Sequence, residues 1–316
     1  MRGAVLALTA LAASALAGAA GAAPNLEVKN AAARIVVLPE KRSDIEVTVY
    51  HLNPRLPLSI ERIGDQVVID GRLWPPFVSC HGSGAALHAY VFGRGDFAVT
   101  AFPQVLVRTP MDVHVSVGGA VQGSIARSQD VDLQQGGCGD WTVADVAGDL
   151  RVRLSGIGAL RAGASGSADL DLAGAGSVTA GPVAGTLFAR ISGSGHIRVR
   201  SAATADLTIS GSGSVTTGAV ANGLSAHVSG VGGLKVARLD GPMVVDVSGV
   251  GHVEVPSGHV THMSAHLSGA GAVEFGGVAD SLDAGVSGTG SVDVAKVTGP
   301  VEQHVSGVGS VRIGGR

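Results

Sequence analysis

The side chains best able to do chemistry recur at matched offsets along the chain. One series, with steps near 19 residues, reads Arg153, Asp171, Arg190, Thr208, His227, Asp246, His266, Gly285, His304. If its members lie side by side, Arg153, Asp171 and Arg190 form an alternating charge ladder, and His227, Asp246 and His266 offer two imidazoles and a carboxylate to a divalent metal. Side chains on adjacent rungs point the same way and do not converge as tetrahedral ligation requires, so the expectation is a solvated ladder of opposite charges with no metal. A second series sets Glu254, Glu274 and Asp293 between Lys235 and Arg312; cations could sit there, but solvent screening accounts for it equally simply. Four histidines, His252, His259, His262 and His266, also crowd into one short segment.

Residues 74–102, with His81, His88 and Asp96, are the one irregular stretch that could house a catalytic site, although their glycine, proline and aromatic content suits an ordered capping loop as well. Cys80 and Cys138 are the two cysteines. In an oxidising compartment such a pair bridges, or it stays as two buried thiols that behave as small hydrophobes; a zinc site would need partners at spacings absent here. Paired glycines fit part of the dinucleotide fingerprint, but no copy leads into a helix. The run Gly136-Gly137-Cys138-Gly139-Asp140 matches calcium-binding nonapeptides once, imperfectly and at the wrong period. No catalytic residue, cofactor or metal is therefore expected.

The elements that position these residues are repeats. The unit apolar-S-G-x-G-x-apolar, once with Ala for Ser, occurs nine times, with first glycines at 156, 174, 193, 211, 230, 249, 269, 288 and 307. Gly137-Cys138-Gly139 extends the series upstream and Gly119 is its candidate start. Before each S-G step apolar residues alternate with mostly polar ones, as in Leu187, Ala189, Ile191 against Phe188 and Arg190, or Leu282, Ala284, Val286 against Asp283. After it, Leu160, Ile197, Val215, Val253 and Val292 open a second alternating run. Period two is the signature of strands. Each repeat thus reads as two short strands and two corners, the second corner at Gly148, Gly166, Gly185, Asn222, Gly241, Asp280 and Gly299, residue types that tolerate positive φ. Units of one length with tight corners predict an all-β, single-chain parallel β-helix, a β-solenoid of about ten coils of about 19 residues, stacked roughly 4.8 Å apart. Right-handed coiling is expected, as in other parallel crossovers.

Composition agrees. Of 316 residues 49 are glycine, 45% are hydrophobic and 15% charged, too apolar for a disordered chain. Eight of the ten aromatics precede residue 142, and the composition changes near residue 115. A net charge of -3 without basic runs excludes a nucleic-acid footprint. Residues 1–23, with Arg2, an apolar run and Ala20-Gly21-Ala22, read as a secretory signal peptide, and no later stretch is apolar and long enough to hold the chain in a membrane. The expected organisation is a signal at 1–23, an N-terminal β-rich capping region at 24–115 and the solenoid at 116–316. The product is expected to be periplasmic, on the outer surface or extracellular.

The repeated S-G-x-G, as in Ser192-Gly193-Ser194-Gly195 and Ser210-Gly211-Ser212-Gly213, follows an extended segment at 105–117 containing Thr109-Pro110. This arrangement resembles the putative auto-transporter adhesin head GIN-domain family of bacterial exported proteins over most of the chain beyond the signal. The resemblance implies a parallel β-helix and an adhesive role, and brings no catalytic residues. Together these readings predict a non-enzymatic surface or periplasmic interaction module whose partner is a protein or carbohydrate of the cell envelope. The competing readings are a self-assembling structural or fibre subunit, pairing through an uncovered C-terminal coil as a homo-oligomer, and a polysaccharide-active enzyme. Coils held to 18–20 residues leave no loops to build a cleft for the last of these.

Overall fold

The computed structural model describes residues 24–73 and 78–314; the expected signal peptide lies outside the described residues, as does residue 74, with which the irregular stretch begins. The chain winds into a parallel β-solenoid of about 11 turns some 19 residues apart. Among the described residues there is no α-helix, and none therefore long and apolar enough to cross a membrane.

The alternation in the sequence sets the interior. Leu150, Val152 and Leu154, Leu187, Ala189 and Ile191, and Leu282, Ala284 and Val286 are all buried, as are Leu160, Ile197, Val215, Val253 and Val292 on the second side of the coil. The two interruptions of the polar positions, Phe188 and Val244, stay on the outside. Successive coils pair in parallel, for example Ala189 beside Leu207 and Leu207 beside Ala226, with local register shifts between Gly241 and Met243 and between Phe275 and Val278. A one-residue slip would turn every inward side chain to solvent, which is what fixes the register.

The coil has a third side that the two-strand reading omits. Ser165 bridges Val183, Ala202 pairs with Val220 and Val220 with Leu239, and further on, where Leu239 pairs with Gly258, Val260 pairs with Ala279, so that these buried residues line one more side of the coil. A single inward residue per turn creates no alternation, so the sequence carries no signal for it. The corner chemistry also differs from expectation. Of the seven residues assigned to positive-φ corners, only Gly241 adopts one, at φ 97°. The repeated glycines answer a different need. A Cβ at Gly211 would lie 2.1 Å from the carbonyl oxygen of Gly193 on the coil below, and one at Gly230 would lie 2.1 Å from that of Gly211. The second glycine of the motif makes room for the core: a Cβ at Gly251 would stand 2.7 Å from Cγ1 of Val228.

The N-terminal part is built into the same stack. Strand β1 (Asn25–Pro39) is a full rung, and the short strands β2 (Glu46–His51), β3 (Ser59–Ile63) and β4 (Gln66–Asp70) follow it. Next come β5 (Val78–His81), β6 (His88–Val91) and β7 (Gly95–Ala98), then β8 (Gln104–Thr109) and β9 (Asp112–Ile125). β1 lies parallel to β9 on one side and to β4 and β8 on the other, so chain order and stacking order differ here. The compositional change near residue 115 falls inside β9. β3 and β2 run antiparallel along β4 and β8, covering the edge of the stack at this end. At the other end the strands Val301–Val305 and Ser310–Ile313 pair on one side only among the described residues, and Val301, Val305 and Val308 are exposed.

β5, β6 and β7 form a separate antiparallel sheet, a flap inserted between β4 and β8. Its small core of Leu87, Ala89, Val91 and Phe97 packs on Ala32 and Ala120, which are outward residues of β1 and β9. A Cys80–Cys138 disulfide, Cα to Cα 6.3 Å, ties the flap to the coil wall and decides between the bridged and free readings. Cys138 itself bridges Ala120 and Ile157 within the ladder.

Candidate interaction surface and flap cluster

The series read from the sequence are physical columns. Arg153 pairs with Asp171, Asp171 with Arg190, His227 with Asp246, Asp246 with His266, and Gly285 with His304, each one rung on. Arg153, Asp171 and Arg190 alternate in charge along the ladder as expected, while the ion pairs of both arginines run diagonally. Arg190 turns across its own face to Asp169, Nη1 to Oδ1 3.0 Å, and Arg153 reaches Asp132 at 3.7 Å. A long guanidinium stem reaches a diagonal partner as easily as an adjacent one. The His227–Asp246–His266 set does not converge. His227 Nε2 lies 3.1 Å from Asp246 Oδ2, whereas His266 leans to Asp283 at 3.9 Å. The acidic column is bracketed as read, with Lys235 Nζ 2.7 Å from Glu254 Oε1 and Arg312 Nη1 3.2 Å from Asp293 Oδ1.

Beside the histidine column runs an exposed row of serines, among them Ser229, Ser248, Ser268, Ser287 and Ser306. Where Gly285 interrupts the histidine column, the surface dips. The resulting notch, about 270 Å³, has Gly285 at its floor between His266 and His304, with Ser268 and Ser287 at its rim. It is a shallow depression, mostly apolar in its lining, held by strands on both sides and edged by hydroxyl and imidazole groups that can donate or accept hydrogen bonds. Column reading alone gave Gly285 no role; the signal available was a glycine in a column of mostly long side chains.

Carboxylates at the corners do a structural task that sequence reading missed. Asp130 accepts the backbone N–H of Asp149 at 2.6 Å, Asp145 that of Ala164 at 3.0 Å, and Asp240 that of His259 at 3.1 Å, each from the next coil. Arg238 holds Asp240 from the other side, Nε to Oδ2 2.8 Å and Nη2 to Oδ1 2.9 Å. The Arg238 hydrogen bonds, helped by the His259 amide against a smaller desolvation effect, keep the Asp240 carboxyl below its ordinary range.

Under the flap a cleft of about 610 Å³ is lined by Lys29, Asn30, Leu73, Ser79 and glycines of the coil wall. Among the described residues, Lys29 is the titratable group on that lining beside the bonded Cys80 and Cys138. The histidines of the flap lie elsewhere, on its own surface. His81 and His88 face each other across β5 and β6 with stacked rings, centroids 5.1 Å apart. Asp96 of β7 brings Oδ2 to 2.9 Å from His88 Nδ1 and 3.7 Å from His81 Nε2. Among the described residues these three make up the group whose donor atoms all come within 4.8 Å of one another, as metal ligation needs. The sequence placed them in one stretch, and antiparallel pairing brings them to one spot.

Residues 92–221 match the family model described as "Putative auto-transporter adhesin, head GIN domain", which bears out over that segment the resemblance read from the S-G-x-G repeats. A solved structure, described as a putative adhesin from Parabacteroides distasonis ATCC 8503, shares 16% identity over 92% of this chain and 93% of its own, with a TM-score of 0.34. Superposition that loose carries no argument about function. No curated protein matches the chain.

Proposed function

We propose that the protein is an exported, non-enzymatic adhesion or interaction module that presents rigid polar columns to a protein or carbohydrate of the cell envelope. The observation that carries this reading is the notch at Gly285, where His266, His304, Ser268 and Ser287 are held in fixed register along one face of the coil. Such a site suits a hydroxyl-rich ligand: its donors are pre-set, so little ordering entropy opposes binding. The family matched by residues 92–221 supports an adhesive role in kind. The test is binding of the purified protein to intact cells and to isolated envelope polysaccharide. His266→Ala with Ser268→Ala is expected to weaken binding at least tenfold, while Glu254→Gln with Glu274→Gln, on another side of the coil, leaves it unchanged. Equal binding by both variants would overturn the assignment of the face.

A second reading has its own observation. The uncovered strands Val301–Val305 and Ser310–Ile313, with Val308 89% exposed, offer an edge to another copy of the chain.

A further inference from the structure

We infer that His81, His88 and Asp96 form a binding site for a divalent transition metal, best suited to zinc, on the outer surface of the flap. Zinc bonds imidazole nitrogen and carboxylate oxygen at about 2.0–2.2 Å, which places tetrahedral donors roughly 3.3 Å apart. The two separations around Asp96 Oδ2, 2.9 and 3.7 Å, straddle that spacing. Small ring movements bring all three donors to an ion through His81 Nε2, His88 Nδ1 and Asp96 Oδ2. Two imidazoles and one carboxylate leave a coordination position open to water or to a donor from a partner. Magnesium and calcium, which prefer all-oxygen sites, fit this set poorly.

The cluster differs from the histidine columns of the solenoid in how its members meet. Side chains stacked along a parallel ladder share one direction, whereas here three antiparallel strands contribute one donor each, His81 from β5, His88 from β6 and Asp96 from β7. The scaffold is also anchored on both flanks. Cys80, next to His81, is bonded to the coil wall, and the Gly84 amide donates to Asp140 Oδ2 at 2.5 Å. The β6–β7 turn is clamped by reciprocal bonds: Arg55 donates to the Arg94 carbonyl, and Arg94 Nη1 to the Arg55 carbonyl at 2.8 Å. Bound zinc would staple all three strands of a sheet that has little core of its own. Metal binding of this kind stabilises the folded flap by mass action.

The experiment is titration of the metal-stripped purified protein with zinc chloride by calorimetry, alongside native mass spectrometry and with the disulfide intact. One zinc per chain is expected for the wild type. His81→Ala with His88→Ala is expected to abolish the stoichiometric event, and Asp96→Asn to weaken it at least tenfold. His227→Ala with His266→Ala should bind as the wild type does. All four side chains removed in the alanine variants are solvent-accessible, and circular dichroism checks that the β spectrum is retained. No stoichiometric uptake by the wild type would overturn the site. So would undiminished uptake by both flap variants, or loss of uptake in the His227 and His266 variant, which would move the ion to the coil column.

Discussion

At the scale of single residues, the inward columns are adjusted by volume as well as by polarity. Ile35, Gly123, Trp141 and Leu160 follow one another in one ladder column, and the indole of Trp141 occupies the space that Gly123 leaves: a Cβ there would stand 2.4 Å from the ring. Gly123→Ala is therefore expected to cost about 1–3 kcal/mol by overpacking, read from denaturant unfolding, and Trp141→Leu in the same chain should recover much of it. Additive losses would show that the two positions are not in contact. Asp240 makes a second prediction. Because Arg238 and the His259 amide favour its charged form, its native pKa is lowered. Its contribution to stability is present above the ordinary carboxylate value and fades as pH falls through the lowered one. A carboxyl NMR titration should give Asp240 a midpoint below that of an unpaired aspartate, and Arg238→Gln should raise it; an unmoved midpoint would contradict the pairing.

At the scale of elements, the flap and the coils answer to different forces. The coils hold by ladders to both neighbours, while the flap has a small satellite core and one covalent tie that spans 58 residues. Loop-closure entropy makes such a tie worth on the order of 4 kcal/mol to the structure it closes. Reduction is expected to speed amide exchange in β5, β6 and β7 while the strands beyond residue 149 keep their protection. Uniform loss across the chain would mean that flap and solenoid unfold as one. The same contrast explains what could be read beforehand. Columns such as Lys235, Glu254, Glu274, Asp293 and Arg312 were legible because a near-constant period turns sequence distance into spatial adjacency. The insertion of β1 between β9 and the pair β4 and β8 was not legible, since pairing out of chain order leaves no periodic trace. The flap cluster was half legible: His81, His88 and Asp96 could be named, but their meeting point depends on hairpin registers that no repeat encodes. The third side of the coil contributes only one inward residue per turn, which is below what alternation can reveal.

At the scale of the whole molecule, the two ends of the rod are unlike. The N-terminal edge is covered by β2 and β3, which run in the reverse direction and carry Glu46, Glu61 and Arg62. Reversed, charged and short strands discourage edge pairing. The C-terminal strands are short too and carry Glu302 and Arg312, but no reversed strand runs along them among the described residues. Light scattering on the purified protein is expected to show concentration-dependent association, lost when Val301→Pro and Val311→Lys block that edge; association that survives the block would assign it to another surface. The asymmetry also sets how far such association can run. A particle with a single sticky end has a valence of one. If two copies meet through their C-terminal coils they satisfy each other about a twofold axis, and among the described residues the outward ends are the covered ones. The mass should therefore level off at twice that of the chain, giving a rod of doubled length with a flap near each tip, and extension into a filament would require the N-terminal strands to come away first.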